Sequence, residues 1–85
     1  MYKGTIKEIR IEYFGKATIK LNSIDTDLLN EIAASDNRVT INDDEIHLDM
    51  TKDIKTVFWD NQTEYYNECQ AVINKFLINE ELNNV

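Results

Sequence analysis

Proline is absent from these 85 residues, glycine occurs twice, and cysteine, histidine and tryptophan occur once each. Each scarcity closes off a class of function. A single Cys69 forms no disulfide within the chain and no CxxC metal motif. Two glycines, Gly4 and Gly15, are too few for a GxGxxG dinucleotide loop and too far apart for a P-loop or a GxSxG nucleophile elbow. No apolar run approaches the roughly 20 residues that cross a bilayer, and the start Met1-Tyr2-Lys3-Gly4-Thr5 lacks the apolar core of a signal peptide. With no disulfide framework to support a small core, a cytoplasmic location is expected.

Basic residues are scarce where acids are dense. Residues 1–20 hold Lys3, Lys7, Arg10, Lys16 and Lys20 against Glu8 and Glu12, a balance of +3. Residues 21–50 hold eight acids against Arg38 alone, a balance of −7, and residues 51–85 add −3. A middle segment this acidic argues against direct nucleic-acid binding, since phosphates call for basic groups. It favours a basic protein surface as partner. The chain also uses ten Asn and eleven Ile, the bias of AT-rich coding found in low-GC bacteria and their phages.

What is present alternates. Ile9, Ile11 and Tyr13 interleave with Glu8, Arg10 and Glu12, and Ala17, Ile19 and Leu21 with Thr18 and Lys20. This period of two marks half-buried strands. With Phe14-Gly15-Lys16 as the loop, the expected pairs are Tyr13 with Ala17, Ile11 with Ile19 and Ile9 with Leu21. A short helix follows, capped by Asp25, with Asp27 in its first turn and Ile24 and Leu29 spaced as a hydrophobic staple. Leu28, Leu29, Ile32 and Ala33 form its inward stripe, and Ser35-Asp36-Asn37 ends it, Asn being tolerant of a left-handed C-cap. A second hairpin turns at Asp43-Asp44 and pairs Ile41 with Ile46 and Val39 with Leu48.

Residues 54–59 suit either a short strand, by β-branched and aromatic content, or a helical turn. We expect a strand. The last helix is expected over residues 63–79, on the stripe Tyr65, Tyr66, Cys69, Val72, Ile73, Phe76 and Leu77. Residues 79–85 are expected to fray. The order ββαββ(β)α predicts one α+β domain over residues 1–85, a small antiparallel sheet of four or five strands with two helices packed on one face.

Chemistry-bearing residues are few. His47, flanked by Glu45 and Asp49 on the outward face of a strand, is read as a surface histidine rather than a metal ligand or general base. Cys69, in the middle of an apolar stripe, is read as core rather than nucleophile. The acids at 43–49 lack the glycine and terminal glutamate of a calcium loop. No metal, cofactor or catalytic residue is expected. What remains is the acidic surface of Asp25, Asp27, Glu31, Asp36, Asp43, Asp44, Glu45 and Asp49, able to imitate a run of phosphates, or simply to stay solvated. The second candidate surface, for an oligomer or hydrophobic contact, is Trp59, Tyr65 and Tyr66.

In size, charge and lack of catalytic motifs the chain resembles small acidic anti-CRISPR and anti-restriction proteins, a likeness of type carried by no particular stretch. It implies a phage or mobile-element inhibitor, non-enzymatic, occluding the basic nucleic-acid site of a target protein in the host cytoplasm. The alternative is a small homo-oligomeric structural or accessory protein, a homodimer built through Trp59 and the last helix, whose acidity serves only solubility.

Overall fold

The structure, a computed structural model, describes residues 2–12, 15–57 and 61–78. Its elements run β1 (Tyr2–Lys3), β2 (Ile6–Ile11), β3 (Lys16–Leu21), α1 (Thr26–Ser35), β4 (Val39–Asn42), β5 (Glu45–Asp49), a 3-10 turn (Met50–Lys52), α2 (Gln62–Asn74) and β6 (Leu77–Ile78). Four strands form an antiparallel sheet in the order β2-β3-β5-β4, while β1 and β6 pair in parallel apart from it. This is the expected α+β architecture.

The alternation works as the pattern requires. Ala17 and Ile19 of β3 and Ile46 and Leu48 of β5 face one side and are almost wholly buried. Against them pack Leu28, Leu29 and Ile32 of α1 and Cys69, Val72 and Ile73 of α2. Burying such side chains contributes roughly 1.5–3 kcal/mol each before the entropic cost of ordering them. The opposite face of the sheet is polar, with Arg10, Thr18, His47 and Thr40 aligned in one row across all four strands.

The first hairpin departs from the expected register by two residues. Ile11 pairs with Ala17, Ile9 with Ile19, and Ile6 with Leu21 after a bulge between Ile6 and Glu8. A slip of two leaves every side chain on its own face, so alternation does not distinguish the two registers. The wider loop does: Glu12 N–H donates to Lys16 O, and Gly15 sits at φ 73, a region glycine enters freely. Tyr13 and Phe14 lie outside the described residues. In the second hairpin Ile41 pairs with Ile46 and Val39 with Leu48, as expected, with Asp43 at φ 55 in the turn.

Four further expectations are corrected. Residues 54–57 form a turn, not a strand, because Asp53 organises them: its Oδ1 accepts from Lys55 N–H and its carbonyl from Thr56 and Val57 N–H. Residues 58–60, with Phe58 and Trp59, lie outside the described set. The last helix stops at Asn74, and Leu77 leaves the helical stripe to pair with Tyr2. Asn37 supplies no left-handed cap, since α1 ends on Asp36 in extended conformation (φ −141). Ile24 stays 56% exposed, so the staple buries little of it.

Candidate functional site

Asp25 starts α1 through its side chain, Oδ1 accepting from Asp27 N–H at 2.9 Å and Leu28 N–H at 3.4 Å. A cap of this kind satisfies backbone donors that the first turn leaves open. The helix ends at Ser35, three residues turn the chain, and β4 runs back along α1, which it packs against. The β4–β5 turn therefore lies at the same end of the fold as the start of the helix. Glu45 is there too, its Oε2 3.5 Å from Lys20 Nζ on the neighbouring β3. Asp25, Asp27, Asp43, Asp44 and Glu45 are thus brought to one end by two elements, the first four of them exposed.

The other three expected carboxylates are placed elsewhere. Glu31 stands on α1 beside Tyr2, and its carboxylate, with the charges of Asp27 and Asp25 nearby, pushes the tyrosine pKa up to about 12. Asp49 sits at the opposite end and caps the 3-10 turn, accepting from Thr51 hydroxyl and Thr51 N–H. Those donors hold its carboxyl below the usual aspartate value, the hydroxyl contributing most. Asp36, also at that end, is taken up by Arg38.

The Arg38 cluster is the most closely built polar site in the described structure, and the sequence reading passed over it. Arg38 is only 6% exposed. Its Nη2 donates to Asp36 Oδ2 at 2.7 Å and to Glu68 Oε1 at 2.9 Å, its Nε to Asp36 Oδ1 at 3.0 Å, and its Nη1 lies 3.6 Å from Asp53 Oδ2. A planar guanidinium suits such forked contacts. The paired hydrogen bond from Arg38 depresses the Asp36 pKa, and the Arg38 pKa is raised in return. One signal was available: Arg38 is the lone base in residues 21–50, so burial of that segment would draw carboxylates to it.

His47 is half-buried on the polar face, its Nδ1 3.5 Å from Thr18 Oγ1 and its Nε2 3.8 Å from Glu45 Oε1. Thr18 hydroxyl donates to Glu12 Oε1 at 2.9 Å. Cys69 is fully buried on the other side of the sheet, where desolvation pushes its thiol up to about 12. The two partners of a thiol–imidazole pair are therefore separated by the sheet. Among the described residues no three His, Cys, Asp or Glu side chains are grouped to hold a metal ion, and no helix is long and apolar enough to cross a membrane. Of the aromatic surface, Tyr65 is half-buried near Gly15, Tyr66 is 42% exposed, and Trp59 is outside the described residues.

What the acidic end can do chemically is accept: carboxylates at a turn and a helix start are ready partners for Lys and Arg of another molecule. Compared with known proteins, the chain matches no family model, no curated protein and no solved structure.

Proposed function

We propose that this chain is a non-enzymatic acidic binding protein that occludes the basic, nucleic-acid-handling surface of a target protein, as an inhibitor of the anti-CRISPR or anti-restriction type. The supporting observation is the gathering of Asp25, Asp27, Asp43, Asp44 and Glu45 at one end of the fold, from a helix start and a hairpin tip. A helix start and a hairpin turn present these charges side by side. A basic channel pre-shaped for phosphates meets them without reorganising, and long-range attraction speeds the encounter. Asp36 and Asp49, bound to Arg38 and Thr51 at the opposite end of the fold, are not part of this contact surface, and Glu31 flanks it.

The test is capture of partners from a host lysate at low and high salt, with the triple variant Asp43→Asn, Asp44→Lys, Glu45→Lys alongside. Asparagine at 43 keeps a residue that tolerates φ 55. A nucleic-acid enzyme held by the native chain at low salt, released at high salt and not captured by the variant, supports the reading. Binding indifferent to salt and to the variant overturns it.

A further inference from the structure

Among the described residues β2 is an edge strand, pairing with β3 alone, and α2 packs against it from the core side. In an antiparallel ladder the backbone groups of successive residues point alternately to either neighbour. Glu12 N–H donates to Lys16 O, so Arg10 and Glu8 also turn their backbone groups to β3. Ile9 and Ile11 accordingly turn theirs to the open edge. Both isoleucines are only half-buried, although they pack on the core. An edge with unpaired backbone groups and incompletely covered apolar residues is a template for another strand.

We propose that this edge pairs with β2 of a second copy, antiparallel, with Ile9 on the twofold axis. The charge pattern selects that register. It sets Glu8 opposite Arg10 of the partner copy and Arg10 opposite Glu8, both exposed and neither ion-paired among the described residues. A slip of two residues one way opposes Arg10 to itself, and the other way Glu8 to itself. A slip of one turns apolar residues against the polar face. Lys20 already stands beside Glu8 within the chain, so charges alternate along the row from β3 across the junction. The bulge between Ile6 and Glu8 ends the regular pairing on that side.

The acidic balance of the chain does not oppose this junction. The acidic hairpin tip belongs to β4 and β5, on the far half of the sheet. In an eight-stranded sheet the two copies of β5 are five strand spacings apart, about 24 Å, well beyond the Debye length of about 8 Å at physiological salt. The proposal is independent of what the acidic end binds.

Sedimentation equilibrium of the full chain tests it. The native chain is expected to dimerise reversibly, and Arg10→Glu and Glu8→Arg separately are each expected to weaken the dimer roughly tenfold or more, by setting like charges opposite at two symmetric places. An equimolar mixture of the two variants is expected to form a heterodimer, because one then carries two acids where the other carries two bases. A native chain that stays monomeric at high concentration overturns the proposal, including the case in which only a chain ending at residue 78 dimerises, the missing segment then being what covers the edge. So does a dimer that neither variant weakens, since its interface lies elsewhere.

Discussion

Arg38 and Asp36 stand two residues apart, and their side chains meet in a fork, Nη2 to Oδ2 at 2.7 Å and Nε to Oδ1 at 3.0 Å, while Asp36 Oδ1 also accepts from Arg38 N–H. The same guanidinium reaches Glu68 on α2 and Asp53 after the 3-10 turn. One side chain thereby joins the end of α1, the start of β4, α2 and the segment leading to it. Its contribution is to placement as much as to stability, since desolvating a charged cluster offsets much of its attraction.

Arg38→Met is therefore expected to destabilise the fold by roughly 2–3 kcal/mol in urea unfolding. The loss falls below that of a fully buried pair because the Glu68 and Asp53 side chains remain 24% and 35% exposed. A loss under about 0.5 kcal/mol would show that water already screens the cluster.

Acid should weaken the fold through the same contact. Arg38 lowers the Asp36 pKa in the folded state below the ordinary 3.8. A depressed carboxylate stabilises the fold above its unfolded value, and that stabilisation is lost as pH falls through the folded value. Unfolding free energy measured from pH 5 down to pH 2 should fall less steeply in Asp36→Asn than in the native chain. Identical slopes would place the acid-sensitive group elsewhere, Asp49 being the next candidate, since Thr51 lowers its pKa too.

Tyr2 should titrate late. The neighbouring Glu31 carboxylate favours its protonated phenol and raises its pKa to about 12 from 10.0. The folded chain holds this proton more tightly than the unfolded one, so the contact contributes below pH 10 and is lost as pH rises towards 12. Tyrosinate absorbance should show one tyrosine ionising above the others, returning towards them in Glu31→Gln. An unchanged titration in that variant would separate Tyr2 from Glu31.

Thr56 is fully buried, its hydroxyl donating to Met50 O at 2.6 Å. Thr56→Val keeps the shape and removes this donor, leaving the buried carbonyl only the longer bond from Asp53 N–H at 3.4 Å. The expected cost is about 1–2 kcal/mol, read from the denaturation midpoint. Stability equal to the native chain would mean that Asp53 N–H alone satisfies the carbonyl.

The two hairpins show how far local pattern reaches. In the second, a two-residue turn at Asp43-Asp44 leaves no slack, and Val39 with Leu48 follows directly. In the first, the pattern is equally clear but the loop is longer, and Ile9 meets Ile19 instead of Leu21. Residues 54–57 carry strand-forming types yet turn around Asp53, a side-chain contact that propensity does not register. The acidic residues were all visible, whereas their division between the two ends of the fold was not. That division depends on how α1 and the second hairpin pack, which leaves Asp36 and Asp49 at the end where Arg38 and Thr51 bind them.

By itself the sequence determined the types of β2 to β5, α1 and α2, most of their inward residues, the capping Asp25 and the concentration of acid in residues 21–50, because periodicity, capping and composition act over a few residues. Only the tertiary structure decided the register of β2 on β3, the end of α2 and the pairing of Leu77 with Tyr2. It also decided which carboxylates are gathered at the acidic end. Each of these joins groups distant in the chain or separates alternatives that share one local pattern, and packing and hydrogen bonding choose among them only once the whole core has closed.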